Sequence, residues 1–248
     1  MVNVLAGDGN MAVVSMDSKD PREWPRYTLA QAAVYLDIPK TTLHHWCRGH
    51  QVRLPNGQLR EYRSLVDVAR YDPKKPSLSY FNLVELHVLS ATRYREQIPL
   101  QRIREAVDYV ARDFPSRHPL ISRQFYHDGK DLFIRVLEHG GREQTINASR
   151  RGQFAIREVV DLYLHRIEYG ADGWPKKFFP MRRSDAEHKI FAIQPNLAGG
   201  HPVIEGTGIR VSVILGRFNG GDSVEELAED YGIQPSVVQK AIEYAEAA

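Results

Sequence analysis

The sequence predicts a mainly helical protein with small β elements, an α+β fold in three parts. These are an N-terminal winged helix-turn-helix, a central module of hairpin plus helix, and a small helical, helix-turn-helix-like C-terminal domain with a short β element. Three observations predict it. Apolar residues recur at three- and four-residue spacing through most of the 248 residues. The dipeptides Asn56-Gly57 and Asp128-Gly129, each between β-favouring runs, mark hairpins. Glycines and prolines fall where the periodic segments stop.

Residues 1–24 read as a flexible leader, because Met1 to Glu23 mix Gly, Asp, Asn and Ser without periodicity. Met11 and Met16 leave the start residue open. The N-terminal domain is expected over 25–118. Thr28 suits the N-cap of a first short helix whose inward face is Ala32, Ala33 and Leu36. Pro39 disfavours helical geometry at Ile38 and so ends it. A second helix begins near Lys40 or Thr41 and buries Leu43 and Trp46. That leaves Thr41, Thr42, His44, His45 and Arg48 on the other side, with donors suited to bases and phosphates. "QVRLPNGQLREYR" then reads as a wing on which Arg53, Arg60 and Arg63 face phosphates. Two longer helices follow, the second with Ile103, Ala106, Val107 and Val110 as its apolar stripe.

These residues, "YTLAQAAVYLDIPKTTLHHW" with "LVELHVLSATRYREQIPLQRIREAVDYV", resemble the winged helix-turn-helix of MerR-like regulators over roughly 26–113. The resemblance implies DNA binding through Thr28, Thr41, Thr42, His44, His45, Arg48, Arg53, Arg60 and Arg63. His44 stands where the family usually has Arg, and at neutral pH it is a weaker phosphate ligand. The family's long dimerising helix and effector end are not visible, so metal or drug sensing is not carried over. The bland alternative is a helix pair used only for packing. A metal site in "HHWCRGH" is disfavoured because adjacent His44 and His45 point to different helix faces and Cys47 has no paired cysteine.

The middle, 119–185, is read as a hairpin, a helix and a linker. "QFYHDGKDLFIRV" supplies the hairpin, turning at Asp128-Gly129. "RGQFAIREVVDLYLHRIEYG" supplies the helix, with Ile156, Val159, Val160, Tyr163, Leu164 and Ile167 on one side and Gly170 as its stop. "GWPKKFFPMRR" reads as an irregular connector; Lys176, Lys177, Arg182 and Arg183 are either solvated linker cations or nucleic-acid contacts.

The C-terminal domain is expected over 186–248. "EGTGIRV" lacks the spacing and lysine of a Walker loop and the third glycine of a dinucleotide fingerprint, so it is not a phosphate cradle. It reads as two short β segments, Val203-Ile204 and Ile209-Val211, joined by a glycine turn. A helix from Val211 to Phe218 is broken by Asn219-Gly220-Gly221. Ser223 and Glu226 form a capping box for the next helix, Gly232 stops it, and Pro235 or Ser236 starts the last. Two-metal chemistry from the exposed acids is weighed against solvated acids near a helix N-terminus, and the latter is preferred.

This quarter, "GGHPVIEGTGIRVSVILGRFNGGDSVEELAEDYGIQPSVVQKAIEYA", resembles the small antitoxin domain of VapB-type partners of PIN-like ribonucleases. Gly200, Pro202, Val203, Ile204, Gly206, Thr207, Ile209, Val211, Gly221, Asp222, Ser223, Glu226, Leu227 and Tyr231 carry the match. Gly208 stands where Arg is frequent and Arg210 where Pro is frequent. Toxin contacts are expected at Thr207, Arg210, Arg217, Glu225 and Glu229: Arg210 as the replacement for the missing arginine, and Glu225 and Glu229 from the acidic charge of this end.

Charge separates the two ends. Residues 21–75 hold ten Lys/Arg against five Asp/Glu, a net +5, and residues 186–248 hold four against nine, a net −5. The basic end can approach a polyanion that would repel the acidic end. The expected function is the antitoxin of a type II toxin–antitoxin pair. It neutralises a PIN-like endoribonuclease toxin by direct binding and represses its own operon at operator DNA, as a homodimer. The alternative is a stand-alone, ligand-responsive MerR-like regulator. No enzyme is expected, since no nucleophile–base pair or metal cluster has defensible spacing, and no cofactor or metal is implied. One cysteine and the lack of a roughly 18–20-residue apolar run point to a cytoplasmic protein without a membrane span.

Overall fold

A computed structural model of the chain describes residues 20–53, 56–69, 71–94, 98, 100–139, 150–181 and 189–246. Most of the expected leader lies outside the described residues, but its end does not. Pro21–Glu23 form a short 3₁₀ turn. Arg22 pairs with Asp172 at 2.6 Å and lies 5.0 Å from the Phe81 ring, and Glu23 pairs with Arg117 at 2.7 Å. Residues 20–24 are therefore part of the packed body, pinned by charges far along the chain that no local pattern announces.

The helix pair is α1 (Leu29–Leu36) and α2 (Lys40–Arg48). Thr28 and Gln31 close a reciprocal capping box at the start of α1. Asp37, at φ 53°, ends it in the left-handed region, which a short polar side chain tolerates better than most. Leu43, Trp46 and Cys47 are the buried side of α2. The wing follows as β1 (His50–Arg53) antiparallel to β2 (Leu59–Tyr62), with Arg53 opposite Leu59 at its end. The loop between them spans five residues, not the two that Asn56-Gly57 suggested. Gly57, at φ 82°, still provides the turn.

At the centre runs α3 (Tyr80–Tyr94). From Tyr80 to Thr92 every residue is buried, so this stretch of the helix has no solvent face. A helix buried all round must satisfy its polar groups internally. Asn82 Nδ2 donates to Asp67 O at 2.8 Å, Glu85 pairs with His118 at 2.7 Å, and the His87 ring meets Tyr163 O at 3.1 Å. Ser90 and Thr92 donate back to the carbonyls of His87 and Leu89. Helix α4 (Leu100–Asp113) buries Ile103, Ala106 and Val110, as its stripe predicts.

The expected hairpin at Asp128-Gly129 is absent. Residues Phe125–Gly129 form a wide π turn that runs into α5 (Lys130–His139). Gly129 has no positive φ; it is buried, and a Cβ there would lie 2.9 Å from both the Phe114 and Phe125 rings. Its glycine serves close packing, and Phe125, Gly129, Phe133 and Leu137 recur on one buried face at the helical four-residue interval. Helix α6 (Arg150–Leu164) also stops before its expected end. Ile167–Tyr169 is strand β3, antiparallel to β4 (Pro175–Phe178), so the supposed irregular connector is half of a hairpin. Arg182 and Arg183 lie outside the described residues.

In the last quarter β5 (Phe191–Ala192) pairs with β6 (Val203–Ile204). Ile209–Val211 adds one bridge, Val203 to Arg210, with the Ile204 N–H donating to Ile209 O at 2.9 Å. The glycine turn is as expected, at φ 77° for Gly206 and 73° for Gly208, but the strand partner of β6 is β5. Helices α7 (Val211–Asn219), α8 (Val224–Tyr231) and α9 (Pro235–Glu246) follow the expected boundaries. Ser223 and Glu226 form the capping box, and Gly232 ends α8 in the left-handed region. One core runs from Tyr27 to Ile193, and a second joins Phe191 and Ile204 to α7–α9.

Candidate nucleic-acid and partner interfaces

Burying Leu43, Trp46 and Cys47 turns the opposite side of α2 outward, and Thr41, His45 and Arg48 form an exposed stripe at four- and three-residue spacing. Lys40 adds an exposed cation at the helix start. Thr42 and His44 are half-buried at its edge. The His44 imidazole is held by Tyr71, Nδ1 to Oη at 2.7 Å, with the rings edge to face. Burial, then the charges of Arg48 and His45, lower its pKa, so it is neutral at pH 7. Thr28 stands apart. Its Oγ1 accepts from Gln31 N at 3.1 Å, so the hydroxyl is committed to the cap. Arg53 and Arg63 are exposed; Arg60 sits in β2 opposite Val52, and its side chain lies outside the described residues.

Cys47 is buried, which pushes its thiol pKa up to about 12. The thiol is therefore held in its protonated, unreactive form. No group of three or more His, Cys, Asp or Glu able to hold a metal occurs among the described residues. No helix among them is long and apolar enough to cross a membrane.

The five candidate partner residues fall into two places. Thr207 and Arg210 lie at the glycine turn before α7. Thr207 Oγ1 donates to Ile204 O at 2.9 Å and accepts from Ile209 N at 3.0 Å, a turn-forming role. Arg210 is exposed at the N-cap of α7, and its charge bears on His201 and Tyr35. Arg217, Glu225 and Glu229 lie at the other end of α7 and on α8. Arg217 is spent internally: Nε reaches Asp222 and Nη2 reaches Asp230, both at 2.6 Å, over the Tyr231 ring. Glu225 and Glu229 are exposed.

Sequence reasoning missed the seam between the two ends of the chain. The Tyr27 hydroxyl donates to Gly200 O at 2.9 Å, Arg26 to Pro195 O at 2.9 Å, and the Tyr244 hydroxyl to Tyr35 O at 3.0 Å. These partners are separated by some 170 to 210 residues. The only local hint was Gly200 itself, whose φ of 81° and tight approach to Tyr27 demand glycine.

Comparison with known proteins agrees with this layout. Residues 25–107 match a family described as "Putative DNA-binding HTH domain", and residues 192–245 match DUF433, a family described as a protein of unknown function. Over its length the chain is similar to a Mycobacterium tuberculosis protein named "Putative antitoxin VapB45", at 28% identity across 88% of this chain and 93% of that protein. It is also similar to the uncharacterized protein Rv2308 of the same organism, at 25% identity over 95% and 94% of the two chains. The crystal structure of Rv2018 from M. tuberculosis superposes with a TM-score of 0.65 at 26% identity, covering 88% of this chain and 98% of that one.

Proposed function

From this pairing of a helix-turn-helix domain with a DUF433 domain, and from similarity across 88% of the chain to a protein named "Putative antitoxin VapB45", we propose that the protein is the antitoxin of a type II toxin–antitoxin pair. The basic unit, 25–118, binds operator DNA as a homodimer and represses its own operon. Helix α2 enters the major groove with Thr41, His45 and Arg48, while Arg53 and Arg63 of the wing hold phosphates. The acidic unit, 186–248, binds a PIN-like ribonuclease in the cytoplasm and fills its basic cleft with carboxylates, Glu225 and Glu229 among them. Arg217 is left out of that contact because Asp222 and Asp230 already neutralise it.

The observation that carries the reading is the exposed stripe on α2 in a segment of net charge +5, set against a C-terminal segment of net −5. Co-expression with the product of the adjacent gene tests it, followed by an RNA-cleavage assay with and without this chain. A co-purifying ribonuclease that this chain silences is the expected result; no association, or cleavage unaffected by it, refutes the antitoxin reading.

A further inference from the structure

We propose that the cleft between the wing and α4 receives a backbone phosphate of the bound duplex, with Arg104 as its ligand, so that the DNA interface runs from α2 across the wing exit to α4. The inference rests on the DNA-binding reading above and adds to it a helix some 50 residues beyond α2 in sequence.

The cleft has a volume of about 240 Å³ and is walled by Tyr62 and Arg63 at the end of β2 and by Gln101 and Arg104 on α4. Arg104 lies with its guanidinium carbon 4.9 Å from the centre of the Tyr62 ring, and its Nε makes only a long contact, 3.4 Å, with Arg63 O. Its Nη2 is shielded from solvent and donates to nothing, and among the described residues no carboxylate lies within ion-pair distance of the group. A guanidinium offers five donors, and one set aside from water without a partner is costly. The ring below and the carbonyl at one edge fix the plane of this cation, and the unpartnered Nη2 meets an anion once the cleft side chains that shield it give way. Burial also lowers its pKa, the same desolvation that an arriving anion would relieve.

The place of the cleft argues for DNA. Gly49, next after exposed Arg48, packs so closely on the wing that a Cβ would collide with Tyr62 O. Leu65 N donates to Trp46 O at 2.7 Å. The cleft therefore adjoins the C-terminal end of α2, which carries the exposed Arg48, and Arg63 and Arg104 both line it. Glu61 and Asp108 also line the cleft and offset Arg63 and Arg104 in charge. A near-neutral site holds a free anion weakly. A phosphate already delivered by α2 and the wing meets it at high effective concentration, so local donor geometry is enough.

The test is a titration of an operator duplex and a scrambled duplex of equal length, by fluorescence anisotropy over a range of salt. Arg104→Gln is expected to weaken both duplexes alike, by about tenfold, and to reduce the slope of log affinity against log salt by about 0.9. Arg104→Lys should recover part of the loss. Asp108→Asn should tighten both by a few-fold, which a merely structural role for Arg104 would not produce. If Arg104→Gln fails to fold, Asp108→Asn decides: tightening supports the inference and an unchanged affinity overturns it. An Arg104→Gln protein that folds and keeps the wild-type slope overturns it while the DNA-binding reading stands, provided Arg48→Ala still weakens binding. A wild-type chain that binds neither duplex overturns both.

Discussion

The Tyr35 hydroxyl of α1 lies 2.9 Å from Nδ1 of His201, a hydrogen bond across 166 residues that ties the helix-turn-helix to the start of the C-terminal domain. Burial pushes the Tyr35 hydroxyl up to about 12, so it keeps its proton and donates. Burial, then Arg210, lowers the pKa of His201, so its ring stays neutral and Nδ1 can accept. Tyr35 is thus part of the seam.

At the same seam, Gly200→Ala should destabilise the chain more than Tyr27→Phe does. The phenylalanine removes one buried hydrogen bond, worth about 1 kcal/mol. The alanine puts a Cβ 2.5 Å from the Tyr27 hydroxyl at a φ of 81°, adding left-handed strain of roughly 1–2 kcal/mol. In urea denaturation the double variant should cost less than the sum of the two, since Phe removes the oxygen with which Ala collides.

Stability should pass through a maximum near neutral pH. His87 is buried on α3, and burial outweighs its hydrogen bond to Tyr163, lowering its pKa to about 3. A histidine depressed in the folded state binds fewer protons there, so its contribution is present above about 6.5 and is lost as pH falls toward 3. His201 acts in the same direction. For His118, burial alone would lower the pKa, but the charge and hydrogen bond of Glu85, with the Glu23 carboxylate 3.7 Å from Nε2, raise it to about 9. Its contribution is full below about 6.5 and fades as pH rises through 9. Urea midpoints at pH 5, 7 and 9 read both limbs, and His118→Gln should flatten only the alkaline one.

Thr28 separates a cap from a DNA contact. Thr28→Ala should lower stability by about 1 kcal/mol, and Thr28→Ser should restore most of it, because the hydroxyl caps α1 through Gln31. The DNA affinity of the folded Thr28→Ala protein should match wild type. A specific loss at the operator would show that the threonine touches the duplex.

Within α2 the exposed residues should divide by role. Arg48→Ala should weaken operator and scrambled duplexes alike and reduce the salt slope by about one, as a phosphate contact does. Thr41→Ala and His45→Ala should instead narrow the gap between the two duplexes, each by about 1–3 kcal/mol if they reach base edges.

On the acidic end, Glu225→Lys with Glu229→Lys should release the co-purifying ribonuclease at lower salt than wild type does. Arg217→Ala should leave that release unchanged, since its guanidinium is already held by Asp222 and Asp230. Equal effects from the two variants would count against an acidic docking face.

What the sequence by itself determined is local. Thr28, Ser223 with Glu226, Gly232 and the stripe of α4 each place an element within a few residues, because caps, turns and helical faces are decided by near neighbours. The exposed side of α2 was legible in part: with Leu43 and Trp46 turned inward, Thr41, His45 and Arg48 turn out, whereas Thr42 and His44, expected beside them, lie half-buried at the edge. Only the tertiary structure decided the others. Asp128-Gly129 spells a hairpin, yet the burial of Gly129 between Phe114 and Phe125 is worth more than a turn and keeps that stretch helical. The pairing of β6 with β5, the His118–Glu85 contact under α3 and the Tyr35–His201 bond join residues between 11 and 166 positions apart. Such contacts form only when the chain has folded far enough to bring them together, and they leave no periodic trace in the sequence.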